Sequence, residues 1–503
     1  MSPVTHATPP IQLRRDKLAE LPSTVGTPSY QHPDLTPGIV HIGLGNFHRA
    51  HQAWYIHQLM QQGKARDWAI IGAGVRSYDA EMRQRLLAQG YLTTLIELDP
   101  KGVSAEVIGP MIDYLPIEAG NAALVRGMAD PSIRIVSLTV TEGGYFLDAN
   151  TSAFDADHDD ILHDAANPNR PRTAFGAIVA ALGIRRANGL TPFTALSCDN
   201  LQGNGTILRN CIVGLARLSD PDLADWIDRN GAFPNSMVDC IVPATTDQVI
   251  SQCHALGVDD HAPVSHENFR QWVIEDDFCA GRPPFEQVGV TLTDDVHGYE
   301  ALKLRILNGG HQLLANVGEI LNVPTISACM QDSDILAFFK KVQIEEILPH
   351  VDAVPGTTPQ EYLGLVERRF ENTAIHDTTR RVAFDGSARH PGFVLPSIRD
   401  AIASGASIKG LALAEALWCR MCAGIREDGS EIAANDPVWE DLRKTALAAK
   451  TDPGLWLAQD LYCGEFGDGS QFTVAFDHWL DGIWKNGSRA ALAEYTSHSS
   501  SSN

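Results

Sequence analysis

Positive charge is scarce in this chain: Lys and Arg total 39 against 62 Asp and Glu, a net charge of −23. With no basic stripe to release phosphate counterions, nucleic-acid binding is not expected, and an anionic membrane surface would repel it. Long apolar runs are also missing. No stretch of about 18 apolar residues exists, so no bilayer-spanning helix is expected. The opening MSPVTHATPPIQLRRDKLAEL lacks the unbroken apolar core of a secretory leader. Cysteine is sparse and scattered, an odd nine residues with no tight framework, which suits reduced thiols in a cytoplasm rather than a disulfide scaffold. Cys419 and Cys422 have CxxC spacing but lie inside a helical run, LALAEALWCRMCAGI, and read as ordinary helix residues.

What remains is a soluble globular composition, 44% hydrophobic, on 503 residues, too many for one core. Gly38–Gly43 is a short apolar run ending in glycine, the pattern of a buried parallel strand. A helix is expected over Phe47–Gln61, and further strands at Trp68–Val75, Tyr91–Leu98, Ile133–Val140, Phe193–Cys198 and Met237–Pro243. Helical stretches lie at Asp79–Leu87, Asn121–Met128 and Thr206–Leu218, so strand and helix alternate as in a doubly wound α/β sheet. From about residue 297 helical patterns dominate: Tyr299–Leu321, Asp332–Ile347, Pro359–Phe370, Leu411–Ile425 and Val438–Ala449. The expected organisation is a Rossmann-type domain over 1–295, a mainly α-helical domain over 296–490, and a disordered Ser-rich tail over 491–503.

His41-Ile-Gly43-Leu-Gly45-Asn-Phe47-His48-Arg49 follows the first strand and opens the first helix, where a dinucleotide fingerprint belongs. Gly43 suits the tight turn and Gly45 a close approach to pyrophosphate. The third glycine is absent, with His48 in its place. Gly43, Gly45, Phe47 and Arg49 are the cofactor candidates on this turn. Asp79, after the second strand, could accept from the ribose hydroxyls of NAD, or serve equally well as a helix N-cap. Arg76 cuts the other way, as a seat for the extra phosphate of NADP. NAD is the expected cofactor.

The stretch richest in chemistry is Tyr299-Glu300-Ala-Leu-Lys303-Leu-Arg-Ile-Leu-Asn308-Gly-Gly-His311. As an α-helix it would place Lys303, Glu300, His311 and Asn308 at roughly 0°, 60°, 80° and 140° around the axis. An amine, a carboxylate, an imidazole and an amide on an otherwise apolar helix suit a reactive face, or a partly solvated helix with an interface ion pair. Ser197-Cys-Asp-Asn200 and Thr141-Glu142-Gly-Gly-Tyr145 each end a strand, where α/β folds place ligand-binding groups, though either alone is equally a loop or cap.

Together these segments resemble the polyol-specific long-chain dehydrogenases. The likeness spans about residues 36 to 485 and rests on GLGNFHRAHQA, SLTVTEGGY, SCDNLQGNG, FPNSMVDCIVP, FRQWVIEDDF, TDDV, YEALKLRILNGGH and RVAFDGSARHP. The resemblance implies an N-terminal Rossmann-type domain, a mainly α-helical C-terminal domain, an active site between them and chemistry without a metal. It implies Lys303 as general base, Asn200 and Asn308 as donors to the developing oxyanion, and His311 as an orienting group. Glu300 would pass the proton outward, alone or with Asp239, and Arg381, Arg389, Asp239 and Glu142 are the substrate-binding candidates. The expected reaction is NAD-dependent interconversion of D-mannitol and D-fructose, with a small-molecule polyol or ketose as the partner and a monomer or weak oligomer as the assembly.

Two positions depart from the family's pattern. Arg389 stands where a lysine is common, and its fork could grip the carboxylate of a uronate, so a fructuronate or tagaturonate reductase is an alternative. Tyr78 replaces an acid common beside Asp79 in NAD-using relatives. D-Arabinitol or D-sorbitol oxidation stays within the same chemistry. A non-catalytic NAD-binding regulator would be marked by loss of Lys303 or the two asparagines, and all three are present.

Overall fold

The structure, a computed structural model, describes residues 9–76, 78–148, 153–467 and 469–497. The chain divides into two compact units, Met1–His297 and Gly298–Asn503.

The first unit is built on a five-stranded parallel sheet of β1 (Pro37–Ile42), β2 (Ala69–Ala73), β3 (Met111–Tyr114), β4 (Ile135–Leu138) and β5 (Thr194–Ser197), in the order β3-β2-β1-β4-β5. All four pairings are parallel. This is the Rossmann strand order, with β1 at the centre and the order reversing between β1 and β4. The strands are mostly apolar because both faces are covered, with His41, Ser137, Thr194 and Ser197 as buried polar exceptions. Side chains alternate between the two faces. Ile39, Ile70, Ile135 and Leu196 join Ile56 and Leu59 of the helix Gln52–Gln61 in one core. Val40, Val136 and Ala195 join Phe175 and Ile178 of Ala174–Ala187, with Leu208 and Ile212 of Asn204–Ser219, in another. Each buried Val, Leu, Ile or Phe among them contributes about 1.5–3 kcal/mol by leaving water.

Three expectations for this unit need correction. Thr93–Asp99 is a strand, but it pairs antiparallel with Gly102–Ile108 and parallel with Val264–Glu267 in a separate sheet. Ser236–Asp239 likewise pairs antiparallel with Gln271–Glu275 in a third sheet. Apolar runs announce a strand without announcing its partner, and the short Met111–Tyr114 takes the edge beside β2. The helix expected over Phe47–Gln61 is broken at His51 (φ −116°, ψ −89°) into Asn46–Ala50 and Gln52–Gln61.

The second unit is helical, its core gathered around Trp418, Trp456, Phe338, Phe476 and Leu314. The run Tyr299–Leu321 is not one α-helix. His297–Ala301 leads into a π-helical segment, Leu302–Asn308, before Gly309–Ile320 resumes α geometry. The tail is also more ordered than expected. Ser488–Ser497 is a helix with Ala491, Leu492 and Tyr495 buried, and the Tyr495 hydroxyl donates to Glu346 at 3.1 Å. The serine bias begins only where that apolar face ends, and residues 498–503 lie outside the described residues. Among the described residues no helix is long and apolar enough to cross a membrane.

Candidate active site

At the carboxyl end of β1 the chain makes the turn its glycines allow. Gly43 has φ +92°, and an added Cβ there would strike the Thr139 carbonyl. An added Cβ at Gly45 would meet nothing within 4 Å, so the backbone at that point faces open space. Both line a cavity of about 790 Å³ with Val75, Arg76, Asp79, Thr141, Gly143 and Gly144. The pairing of a crowded first glycine with an open second one fits a dinucleotide pyrophosphate.

The turn is held from below by a buried polar chain. His41 contacts the Ser137 hydroxyl (2.8 Å) and the Thr139 hydroxyl (3.0 Å), Thr139 donates to the Gly43 carbonyl (2.6 Å), and the Ser137 hydroxyl lies 3.0 Å from the Gln52 side-chain amide. His48, in the position of the missing third glycine, lies flat on His41 with ring centroids 3.5 Å apart. Burial lowers His41 to about 3 and pushes His48 well below its ordinary range, so this stack is neutral.

Arg49 does not line the cavity. It is buried, and its guanidinium donates to the carbonyls of Gly45 (3.3 Å) and Ala262 and to Asn46 (2.6 Å), bracing the turn from within. Phe47 stacks on His51 at 4.8 Å. Asp79 accepts from the backbone N–H groups of Val75 (3.1 Å) and Arg76 (3.0 Å) through one oxygen, Oδ2, closing the loop after β2 at the cavity wall. Its role as an N-cap is thus replaced by a link to the residues preceding its helix.

The loops after β4 and β5 are clamped together by Asp199, which sequence reasoning quoted but gave no role. Its carboxylate accepts from Val140 N (3.1 Å), Thr141 N (2.9 Å) and the Tyr145 hydroxyl (2.8 Å). Thr141 sits at φ +68°, a conformation that a β-branched residue adopts only when its surroundings impose it. The Asp199 bond to its N–H is the imposing contact. Asn200 follows on the exposed side of β5's end, and Asp239 is buried at the end of Ser236–Asp239. The side chain of Glu142 lies outside the described residues.

In the second unit Lys303 and Glu300 are both buried, at 6% and 4% exposure, with Asn308 and His311 partly so. The wheel drawn for an α-helix does not hold, because the Gly309 N–H donates to the Leu304 carbonyl five residues back. Under that closure residues five apart come to the same side, so the Lys303-to-Asn308 spacing matches one π turn. His311 stacks on Phe370 at 4.2 Å. Arg381 donates from Nε to Asp377 at 2.7 Å and brings Nη2 within 2.7 Å of the same carboxylate oxygen, and Arg389 donates to the Val382 carbonyl at 2.7 Å. Asp377, buried and 3.8 Å from His311, was missed. Its only sequence signal is the i, i+4 spacing to Arg381.

Family profiles match the chain on both sides of the division between the units. Residues 37–287 match the mannitol dehydrogenase Rossmann domain, and residues 295–484 the mannitol dehydrogenase C-terminal domain. The chain belongs to the mannitol dehydrogenase family. It is 52% identical to the mannitol 2-dehydrogenase of Cereibacter sphaeroides over 94% of this chain and 99% of that protein, and 39% identical to that of Phaeosphaeria nodorum over 96% and 86%. Among solved structures it resembles Pseudomonas fluorescens mannitol 2-dehydrogenase, determined as a ternary complex with NAD and D-mannitol. The TM-score is 0.87 at 38% identity, covering 96% of this chain and 99% of that one. A D-sorbitol dehydrogenase in substrate-free form gives the same TM-score at 35% identity, over 95% and 100%. Family membership, the Rossmann fold of the first unit and the helical second domain are thereby established together.

Proposed function

We propose that the protein oxidises D-mannitol to D-fructose with NAD, and catalyses the reverse reduction. The observation that carries this reading is the 52% identity, over nearly the whole of both chains, to a mannitol 2-dehydrogenase. The Pseudomonas fluorescens relative, solved with NAD and D-mannitol, supports both cofactor and substrate.

NAD, when bound, accepts a hydride at C4 of its nicotinamide. Gly43, Gly45 and Asp79 would hold it, the glycines against pyrophosphate and Asp79 Oδ1 against ribose. Lys303 takes the proton from the reacting hydroxyl as general base. Asn200 and Asn308 donate to that oxygen as negative charge grows on it. His311 orients the substrate, and Arg381 and Arg389 donate to hydroxyls further along the polyol. Glu300, one turn before Lys303, passes the proton outward with Asp239. In reduction each role reverses. The uronate reading is not favoured, because the relatives described above act in name on polyols. The nine scattered cysteines lack the tight framework of a disulfide scaffold, which supports a reducing compartment, and we place the enzyme in the cytoplasm as a monomer or weak oligomer.

The test follows NADH oxidation with D-fructose and D-fructuronate, and NAD reduction with D-mannitol and D-sorbitol, for wild type and Lys303→Ala. Mannitol turnover above sorbitol, falling by about 10²–10⁴ in the variant, supports the reading. Undiminished activity without Lys303 would overturn the mechanism, and preference for fructuronate over fructose would overturn the substrate.

A further inference from the structure

Asp377 is unusual in what its carboxylate does. It is 6% exposed, and Arg381 donates from Nε to the single oxygen Oδ1, with Nη2 2.7 Å from that same oxygen. The second oxygen, Oδ2, is buried, has no hydrogen-bond partner among the described residues, and lies 3.8 Å from His311 Nε2. That separation is too long for a hydrogen bond and short enough for a charge to govern the imidazole. A buried carboxylate with one oxygen left over is costly unless its surroundings require it.

The backbone around Asp377 is correspondingly rigid. Its carbonyl accepts from Ile326 N (2.9 Å), its N–H donates to Ile375 O (2.9 Å), and the next residue, Thr378, pairs with Thr325 in an isolated bridge and caps the helix Thr379–Val382. On the other side, the His311 ring is pressed against Phe370. Carboxylate and imidazole are therefore each fixed by elements other than the one that carries their partner. Burial pushes the Asp377 carboxyl up, opposed by the nearby guanidiniums of Arg381 and Arg389.

We propose that Asp377 is a positioning residue for the polyol: one carboxylate aims Arg381 through Oδ1 and turns the protonated nitrogen of His311 inward through Oδ2. The opposite ring nitrogen and the outer face of the guanidinium are then presented to substrate hydroxyls in a fixed relation. This rests on the reading of Arg381 and His311 as substrate ligands given above.

The test compares steady-state kinetics and NADH binding for Asp377→Asn, Arg381→Leu and the double variant. Asp377→Asn is expected to raise the KM for D-fructose by about tenfold, the scale of one lost charge-assisted contact. Its kcat should fall far less, with NADH affinity unchanged. In the Arg381→Leu background the same change should cost less than it does alone, because part of its effect runs through that arginine. A merely structural role would depress kcat and KM effects together with the melting temperature and would multiply across the pair. If Arg381→Leu raises the KM and Asp377→Asn does not, the proposal fails on its own. If Arg381→Leu leaves the KM unchanged, the reading beneath it fails and takes the proposal with it. Should Asp377→Asn not fold, Asp377→Glu, which keeps the charge but moves it by one methylene, is judged by the same criterion.

Discussion

Removing His390 should destabilise the second unit severely, and removing Glu415 with it should restore part of the loss. Both side chains are fully buried. His390 Nδ1 meets Glu415 Oε1 at 2.6 Å, and the other carboxylate oxygen accepts from the Tyr462 hydroxyl at 2.7 Å, itself an acceptor from Trp456 Nε1 at 2.7 Å. His390 Nε2 lies 3.1 Å from the Asn316 amide, and the ring is stacked on Trp418 at 4.0 Å. One imidazole therefore ties together the helices Gly309–Ile320, Gly386–Phe393 and Lys409–Cys422. His390→Leu leaves the Glu415 carboxyl in the core with a single donor. Breaking such a pair from one side costs about 3–5 kcal/mol. In a unit of roughly 200 residues each kcal/mol moves the melting temperature by about 2–4 °C. The expected drop is thus about 6–20 °C, read by calorimetry on the intact protein. Glu415→Leu should cost a similar amount, and the double variant less than either sum implies, because an apolar pair of similar volume restores packing without an orphaned charge. A drop under about 2 °C for His390→Leu, or strict additivity in the double variant, would refute the argument that this pair holds the helices together.

Gly43→Ala should weaken NADH binding about tenfold or more, since the left-handed backbone alone costs about 1–2 kcal/mol and its Cβ also meets the Thr139 carbonyl; fluorescence titration with an unchanged dissociation constant would contradict the turn's role. The stability of the first unit should fall on acidification. His41 and His266 are held by burial at about 3 against an unfolded value near 6.5, so their stabilising effect is complete above pH 6.5 and is lost progressively toward pH 3. A melting temperature flat across that window would contradict it. Thiol titration of the native enzyme should show one fast-reacting cysteine, Cys463, the exposed member of the nine, ahead of the half-buried Cys240 and Cys279; loss of the fast phase in Cys463→Ser is the check.

The fold was legible where physics is local. Two-sided burial makes β1, β2, β4 and β5 mostly apolar, and Gly-x-Gly between the first strand and the first helix stands where a dinucleotide turn belongs. Sheet membership was not legible, because Thr93–Asp99 and Ser236–Asp239 carry the same apolar signal as the central strands while pairing elsewhere. The chemistry-bearing residues stood out by type, but their supports did not. Asp199 and Asp377 read as ordinary loop acids until the backbone brings Thr141 and His311 to them from far along the chain. Arg49 shows the converse: a cation on the fingerprint turn looks like a phosphate ligand, whereas its three contacts point inward.

A π turn is an α-helix with one residue too many, and the excess has to be absorbed as a change of phase. Upstream of Leu302 and downstream of Asn308 the helix keeps its ordinary pitch, but the two stretches are offset by about 100°, one residue's rotation. Glu300 and Lys303 are thereby indexed separately from the face that Gly309–Ile320 packs into the core. The segment works as a vernier between a reactive surface and a packing surface. Deleting one residue from it would let the helix close into α geometry and would swing Lys303 away while every core contact downstream stayed in place.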